Sequence, residues 1–263
     1  MEIIEKSIIG KSTDQSLCED GLFISEDFIA VIDGVTAKSP ELFNGKTGGR
    51  AAMESVLKAL EKADKNITKN DLFKILNKHI SELYNISPDG RASACAIIYS
   101  KEHDEIWCCG DCQCLINNTP YLNEKKIDSI LSKARALVLE IALLQGKTED
   151  ELLENDIGRE FIKPILETQH FFENSNSQFS YEVLNGKNLQ YDLIKTYKVN
   201  TGDTVVLASD GYPVLKNTLE ESENELKKVI KENPLCNKDY LSTKGVKKGN
   251  MSFDDRTYIK FIV

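Results

Sequence analysis

The chain has 263 residues, with 42 acids against 33 bases and a net charge of -9. Hydrophobic residues make up 41% and charged residues 29%, the balance of a folded globular protein rather than a disordered one. An acidic chain lacks the basic face that neutralises phosphate backbones, which excludes free nucleic acid as a natural partner, and no apolar run approaches the ~20 residues that cross a bilayer.

The opening "MEIIEKSIIGKST" lacks the basic start and apolar core of a signal peptide, so a cytoplasmic location and no membrane partner are expected. Within it "EIIEKSII" reads as a strand. "DGLFISEDFIAVIDG" reads as two apolar strands around a Ser-Glu-Asp turn. From about Ser39 to Ala63 the pattern turns helical, with Pro40 suited to a first helical turn and Ala51, Ala52, Val56, Ala59 and Leu60 at helical spacing. A second helix is predicted from about Lys69 to Tyr84. "ASACAIIYS" and "DEIWCCG" then read as strands around a polar "KEHD" turn. "CQCLINN" follows Gly110-Asp111 at once, which predicts a hairpin with Asp111 at its corner.

From Glu124 to about Gln145 runs a long helix, its predicted core stripe formed by Ile127, Ile130, Leu131, Ala134, Val138, Ile141 and Leu144. Gly146 ends it, and Thr148 with Glu151 offers a capping box for a further helix. After a loop-like stretch come the strands "LIKTYKV" and "TVVLASDG", a helix near Leu219 to Lys231, and a last strand, "TYIKFIV". Strands come in runs with helices between the runs, which argues for an α+β layered fold. One domain is the simpler organisation, since no repeat or low-complexity linker interrupts the chain.

Four of the seven cysteines fall in "WCCGDCQCLI" and Cys18, Cys95 and Cys236 stand alone, yet Cys109 and Cys112 form the single C-x2-C. Without a second pair, a zinc site on Cys108, Cys109, Cys112 and Cys114 is the weaker reading, and buried thiols on ordinary strand positions the stronger. A nucleophilic cysteine needs a base or a positive setting, and residues 104 to 116 contain no Arg, Lys or His. His79, His103 and His170 show no ligand spacing, and structural roles are expected for His79 and His170.

The acids carry more. Asp-Gly is ordinarily a turn signal, but "FIAVIDG" and "TVVLASDG" are buried strands that stop on an acid. A carboxylate at the mouth of a buried strand is costly unless a cation meets it. Glu19 and Asp20 precede a strand, Asp254 and Asp255 precede the last one, and Asp111 lies between two others. Many carboxylates and few histidines suit Mg2+ or Mn2+, which take oxygen ligands.

In order along nearly the whole chain, "SLCEDG", "FIAVIDG", "ASACAII", "EIWCCGDCQ", "YEVLNG", "TVVLASDG" and "SFDDRT" resemble the motifs of the metal-dependent protein phosphatases of type 2C, the PPM family. The resemblance implies a four-layer αββα sandwich, two antiparallel β-sheets flanked by helices, over a single catalytic domain of residues 1–263. It implies a phosphomonoester hydrolase, a serine/threonine protein phosphatase with a dimetal-activated water, acting on a phosphorylated protein or a small phosphomonoester as a monomer. Carried over motif by motif, Asp33 bridges two Mn2+ or Mg2+ ions. Asp210 and Asp254 hold the first, Glu19 and the Gly34 carbonyl the second, and Asp111 a weaker third. Asp20 acts through water. The catalytic pair is Asp33 and Asp210. The helical segment at about 124–178 corresponds to the family's variable flap.

Two positions depart from the pattern. Gln15 stands where the family often has a phosphate-gripping Arg, with Lys11, Lys46 or Arg50 as substitutes, and Val35 stands where many members have His. The rival expectation is therefore a catalytically weak or inactive relative serving as a regulatory or interaction module.

Overall fold

The computed structural model describes residues 1–36 and 40–263. Ten strands form two five-stranded sheets. The first sheet runs in the order β1 (Glu2–Ile9), β10 (Arg256–Ile262), β9 (Thr204–Ala208), β6 (Gln113–Ile116), β7 (Thr119–Tyr121). The second runs β2 (Asp20–Ile24), β3 (Phe28–Gly34), β4 (Ala94–Ser100), β5 (Glu105–Cys109), β8 (Lys195–Lys198). Every pairing within the two sheets is antiparallel.

Alternation along the strands separates the layers. In β3, Ile29 and Val31 point into the space between the sheets, where they meet Ile97, Cys108, Leu207 and Phe261. Their neighbours Phe28, Ala30 and Ile32 point outward onto helices α1 (Gly48–Leu60) and α2 (Lys69–Ser81). The outer face of the first sheet packs Val206, Ala208 and Tyr258 against Tyr212 and Leu215, ahead of helix α6 (Leu219–Glu232). The result is the αββα arrangement. Because β3 is buried on both faces, it reads as a continuous apolar run, and the acid that ends it has little water to retreat to.

Helices α3 (Lys126–Leu144), α4 (Glu149–Glu154) and α5 (Ile157–Thr168) lie between β7 and β8 in the chain. Ile127 and Leu131 of α3 and Ile162 and Leu166 of α5 join the inter-sheet core at its edge. The Thr148–Glu151 capping box forms as the sequence predicts.

Three expectations are corrected. The helix predicted from Ser39 begins at Gly48, because Thr47 caps it and a turn at Asn44 and Gly45, both at positive φ, precedes it; Ser39 lies outside the described residues. The Gly110-Asp111 corner is not a hairpin: β5 pairs in the second sheet and β6 in the first, so the chain crosses between sheets there. Gly110 sits at φ 96°, and a Cβ on it would lie 2.3 Å from the Cys95 sulfur, so only glycine passes. The α3 stripe is also out of phase. Ile127 and Leu131 are buried as expected, but Ile130, Ile141 and Leu144 are exposed, and the buried face continues instead through Arg135, Leu139 and Ala142. A buried arginine occupies a core position, which hydrophobic periodicity cannot anticipate.

Candidate metal centre

The strand ends converge as the topology requires. Asp33 is the penultimate residue of β3, paired with Asp20 on β2 and Cys95 on β4. Asp210 follows the end of β9, and Asp111 lies in the crossing from β5 to β6. One carboxylate oxygen from each of Asp33, Asp111 and Asp210 lies within 4.8 Å of the others. All three line a cavity of about 510 Å³, with Asp254, Lys125 and Arg159 also on its wall.

These acids stand in an unfavourable field. Burial, then the neighbouring Asp210, Asp20, Asp111 and Asp254, pushes Asp33 well above the usual carboxylate range. Burial, with Asp111 and Asp254, pushes Asp210 up to about 7. Burial would raise Asp111 too, but the Lys125 ammonium, 2.7 Å away, holds it low. Even so, Asp111 Oδ1 is buried with no hydrogen-bond donor. A buried carboxylate oxygen left bare costs about 1–3 kcal/mol or more. With all three carboxylates ionised, as ligands of a cation, one ammonium against them would leave two negative charges. An all-oxygen donor set with that residual charge fits a hard divalent cation such as Mg2+ or Mn2+.

The other predicted ligands form a separate group. Lys11 Nζ lies 3.1 Å from Asp255, 3.2 Å from Asp254 and 3.6 Å from Glu19. Lys244 also pairs with Asp254. Against the effect of burial, Lys244 and Lys11 bring Asp254 down to about 2. Glu19 accepts from Thr36 Oγ1 and Thr47 Oγ1, both at 2.6 Å. Gly34 lies against the start of α1, where a Cβ would meet the Gly49 carbonyl at 2.4 Å, and its N–H donates to the Glu19 carbonyl. Asp20 is buried, and one oxygen accepts from Ser209 Oγ at 2.6 Å and Thr257 Oγ1 at 2.9 Å. Burial raises it to about 8. It therefore ties β2 to β9 and β10 behind the centre.

The zinc reading is overturned. Cys109 faces the helices outside the second sheet, whereas Cys108, Cys112 and Cys114 face the inter-sheet core. Burial raises all four thiols, Cys108 to about 12. Among the described residues, the acidic trio is the one group of three metal-ligating side chains that comes together.

Gln15 does not face the cavity wall. Its Oε1 accepts from Gly10 N at 2.7 Å and its Nε2 donates to Ser12 O at 2.6 Å. Its suggested substitutes are engaged as well: Lys46 and Arg50 bond Glu54, and Arg50 also donates to the Cys18 carbonyl. The cations at the centre, Lys125, Lys244 and Arg159, had no local signal in the sequence. Lys125 and Arg159 come from the segment around α3–α5, apart from the acidic motifs, while Lys244 lies in the loop just ahead of Asp254, and only the fold brings the three together.

No family model matches the chain, and no curated protein matches it by sequence. Solved structures do match over its full length. The catalytic domain of the serine/threonine protein phosphatase PstP, in complex with two manganese ions, superposes with a TM-score of 0.51 at 13% identity, covering 100% of each chain. The photosystem II phosphatase PBCP superposes at 0.53 and 13% identity, covering 98% of this chain and 97% of that one. The Mycobacterium tuberculosis phosphatase PstP/Ppp gives 0.50 and 14%, with 98% and 97% covered. The chain has the PPM phosphatase fold. Within that fold, the Asp33–Asp111–Asp210 cluster occupies the ends of the central strands of both sheets, and the α3–α5 segment flanks the cavity.

Proposed function

We propose that this chain is a metal-dependent phosphomonoester hydrolase that removes phosphate from phosphoserine or phosphothreonine on a protein, or from a small phosphomonoester. The observation that carries the reading is the bare, buried Asp111 Oδ1 in a cluster with Asp33 and Asp210. In that cluster the protein leaves one buried carboxylate oxygen without a donor. The likeness in fold to phosphatases, one of them described with two manganese ions, supports the same reading. Asp33, Asp111 and Asp210 would hold Mn2+ or Mg2+. Bound there, such a cation supplies Lewis acidity toward phosphoryl oxygens and acidifies water.

The chain's own residues supply the rest. Lys125 offsets one carboxylate charge, which lowers the repulsion an incoming phosphate dianion meets. Arg159, on α5, anchors Nη1 to the Thr243 carbonyl at 2.6 Å and lines the cavity. Its remaining N–H groups have no described protein partner, so a planar donor fork is available for phosphate, the role Gln15 cannot fill. Position 35 is valine and offers the leaving oxygen no proton, so aryl phosphates are the better substrates. Residues 124–178 act as a flap, since Lys125 and Arg159 reach the cavity from that segment. Seven buried thiols without a disulfide fit a reducing compartment such as the cytoplasm.

The test is turnover of p-nitrophenyl phosphate and of a phosphothreonine peptide. Hydrolysis that appears with Mn2+ and vanishes with chelator is expected. Mn2+ binding without turnover of either substrate replaces this reading with the inactive interaction module, which the engagement of Gln15 with the Gly10 and Ser12 backbone, away from the cavity, favours. A second expected result separates grip from chemistry. Arg159→Ala raises KM for the phosphopeptide about tenfold or more, while Mn2+ affinity is unchanged; an unchanged KM removes Arg159 from the phosphate site.

A further inference from the structure

The acids that the motifs assign to metal, together with the neighbouring Asp255, fall into two groups of opposite character. In the first, Asp33, Asp111 and Asp210 face one another with a single ammonium, Lys125, and one oxygen has no donor at all. In the second, every oxygen of Glu19, Asp254 and Asp255 already has a protein donor. Asp255 Oδ1 accepts from Lys11 N at 2.7 Å, and its Oδ2 accepts from Glu19 N and Lys11 Nζ, both at 3.1 Å. Asp254 Oδ1 accepts from Lys11 Nζ at 3.2 Å and Asp255 N at 3.0 Å, and its Oδ2 is taken by Lys244. The two Glu19 oxygens are taken by Thr36 and Thr47.

We infer that Lys11 is a built-in cation: its ammonium takes up Glu19 and Asp254, acids that the motifs assign to metal, and the centre therefore takes one divalent ion. The inference rests on the metal-site reading proposed above and goes beyond it in number and place.

Charge supports it. Three carboxylates against Lys11 and Lys244 leave one negative charge, so a divalent ion added beside both lysines would overshoot, and it could enter only by displacing one of them. Geometry supports it too. Lys11 Nζ donates to Thr36 Oγ1, Asp254 and Asp255, so its three protons are all used, and its own backbone N–H is fixed on Asp255. A divalent ion would have to displace that ammonium and break at least these three bonds. At the aspartate trio it breaks none of the bonds that satisfy Asp111 Oδ1, because there are none.

The full-length chain loaded with Mn2+ decides the point by ion count and location. Anomalous diffraction on the wild type should show one Mn2+ per chain among Asp33, Asp111 and Asp210, with a six-line mononuclear signal by electron paramagnetic resonance. Lys11→Gln, which removes the charge and keeps a donor, and Lys11→Ala should each admit a second Mn2+ and turn the signal into that of a spin-coupled pair. Lys11→Arg should stay at one. Two ions in the wild type, or one ion still in the neutral variants, overturns the assignment to Lys11. Should both neutral variants fail to fold, the wild-type count decides alone. No ion at all overturns the metal site itself, a different failure from finding two.

Discussion

Asp33→Asn should cost the chain its Mn2+-dependent hydrolysis of aryl phosphates, by more than about 10²-fold, and should at the same time raise the melting temperature of the metal-free protein at pH 8. The first effect follows from the donor set. Loss of groups that only support a ligand costs about 10–100-fold, and Asp33 is one of three ligands in the trio. The second follows from linkage. Asp33 is pushed well above an ordinary carboxylate and Asp210 to about 7, in each case by burial first and neighbouring acids second. Between about pH 4 and 7 the folded, metal-free chain therefore holds protons that the unfolded chain has released. Stability falls as pH rises through that window. An amide at position 33 carries no charge at any pH in this range and escapes the loss. In a chain of this size each kcal/mol recovered is worth about 2–4 °C. A bound cation relieves the same repulsion, so Mn2+ should stabilise the wild type more at pH 8 than at pH 5.5 and leave Asp33→Asn unmoved. Differential scanning calorimetry with and without Mn2+ at the two pH values checks this. A variant that melts lower than wild type without metal, yet turns over normally, would mean Asp33 serves the fold and not the site.

The acids were legible in the sequence because burial makes them anomalous. An aspartate at the end of "FIAVIDG" or "TVVLASDG" has no reason to be there without a partner, and both reach the trio. Strands β3, β4 and β9 were legible for a related reason: strands covered on both faces carry uninterrupted apolar runs. What the sequence hid were features without a local signature. A crossing between sheets and a hairpin both want glycine beside a polar residue, so Gly110-Asp111 could be read either way. The division of the acids into a bare trio and a saturated group depends on Lys11 and Lys244, which are 233 positions apart and meet only at Asp254. The phase of α3 was hidden because the residue facing inward at its centre is charged.

That residue gives the largest expected effect on stability. Arg135 is fully buried. Its Nε and Nη2 donate to Asp156 Oδ2 at 2.9 and 2.7 Å, and its Nη1 donates to the carbonyls of Leu235 and Ser242 at 2.8 and 3.0 Å. Asp156 uses its other oxygen to cap α5 through Arg159 N at 2.7 Å. One guanidinium thus joins α3, the start of α5 and the 235–242 loop. Arg135→Ala strands Asp156 and two carbonyls at once, and breaking a buried pair from one side costs about 3–5 kcal/mol. Urea denaturation should show that loss as a lower midpoint at unchanged slope. Asp156→Asn keeps a cap and an acceptor and should cost less. The double variant should cost less than the sum of the two, because the stranded partner is itself removed. The damage should also reach the cavity. Arg159 is the fourth residue of the turn that Asp156 caps, and its guanidinium holds Thr243 in the loop that Arg135 pins. Loosening that loop should therefore raise KM for the phosphopeptide in Arg135→Ala even at temperatures where the chain remains folded. A variant with the full stability loss and an unchanged KM would show that Arg159 is positioned without help from the buried pair.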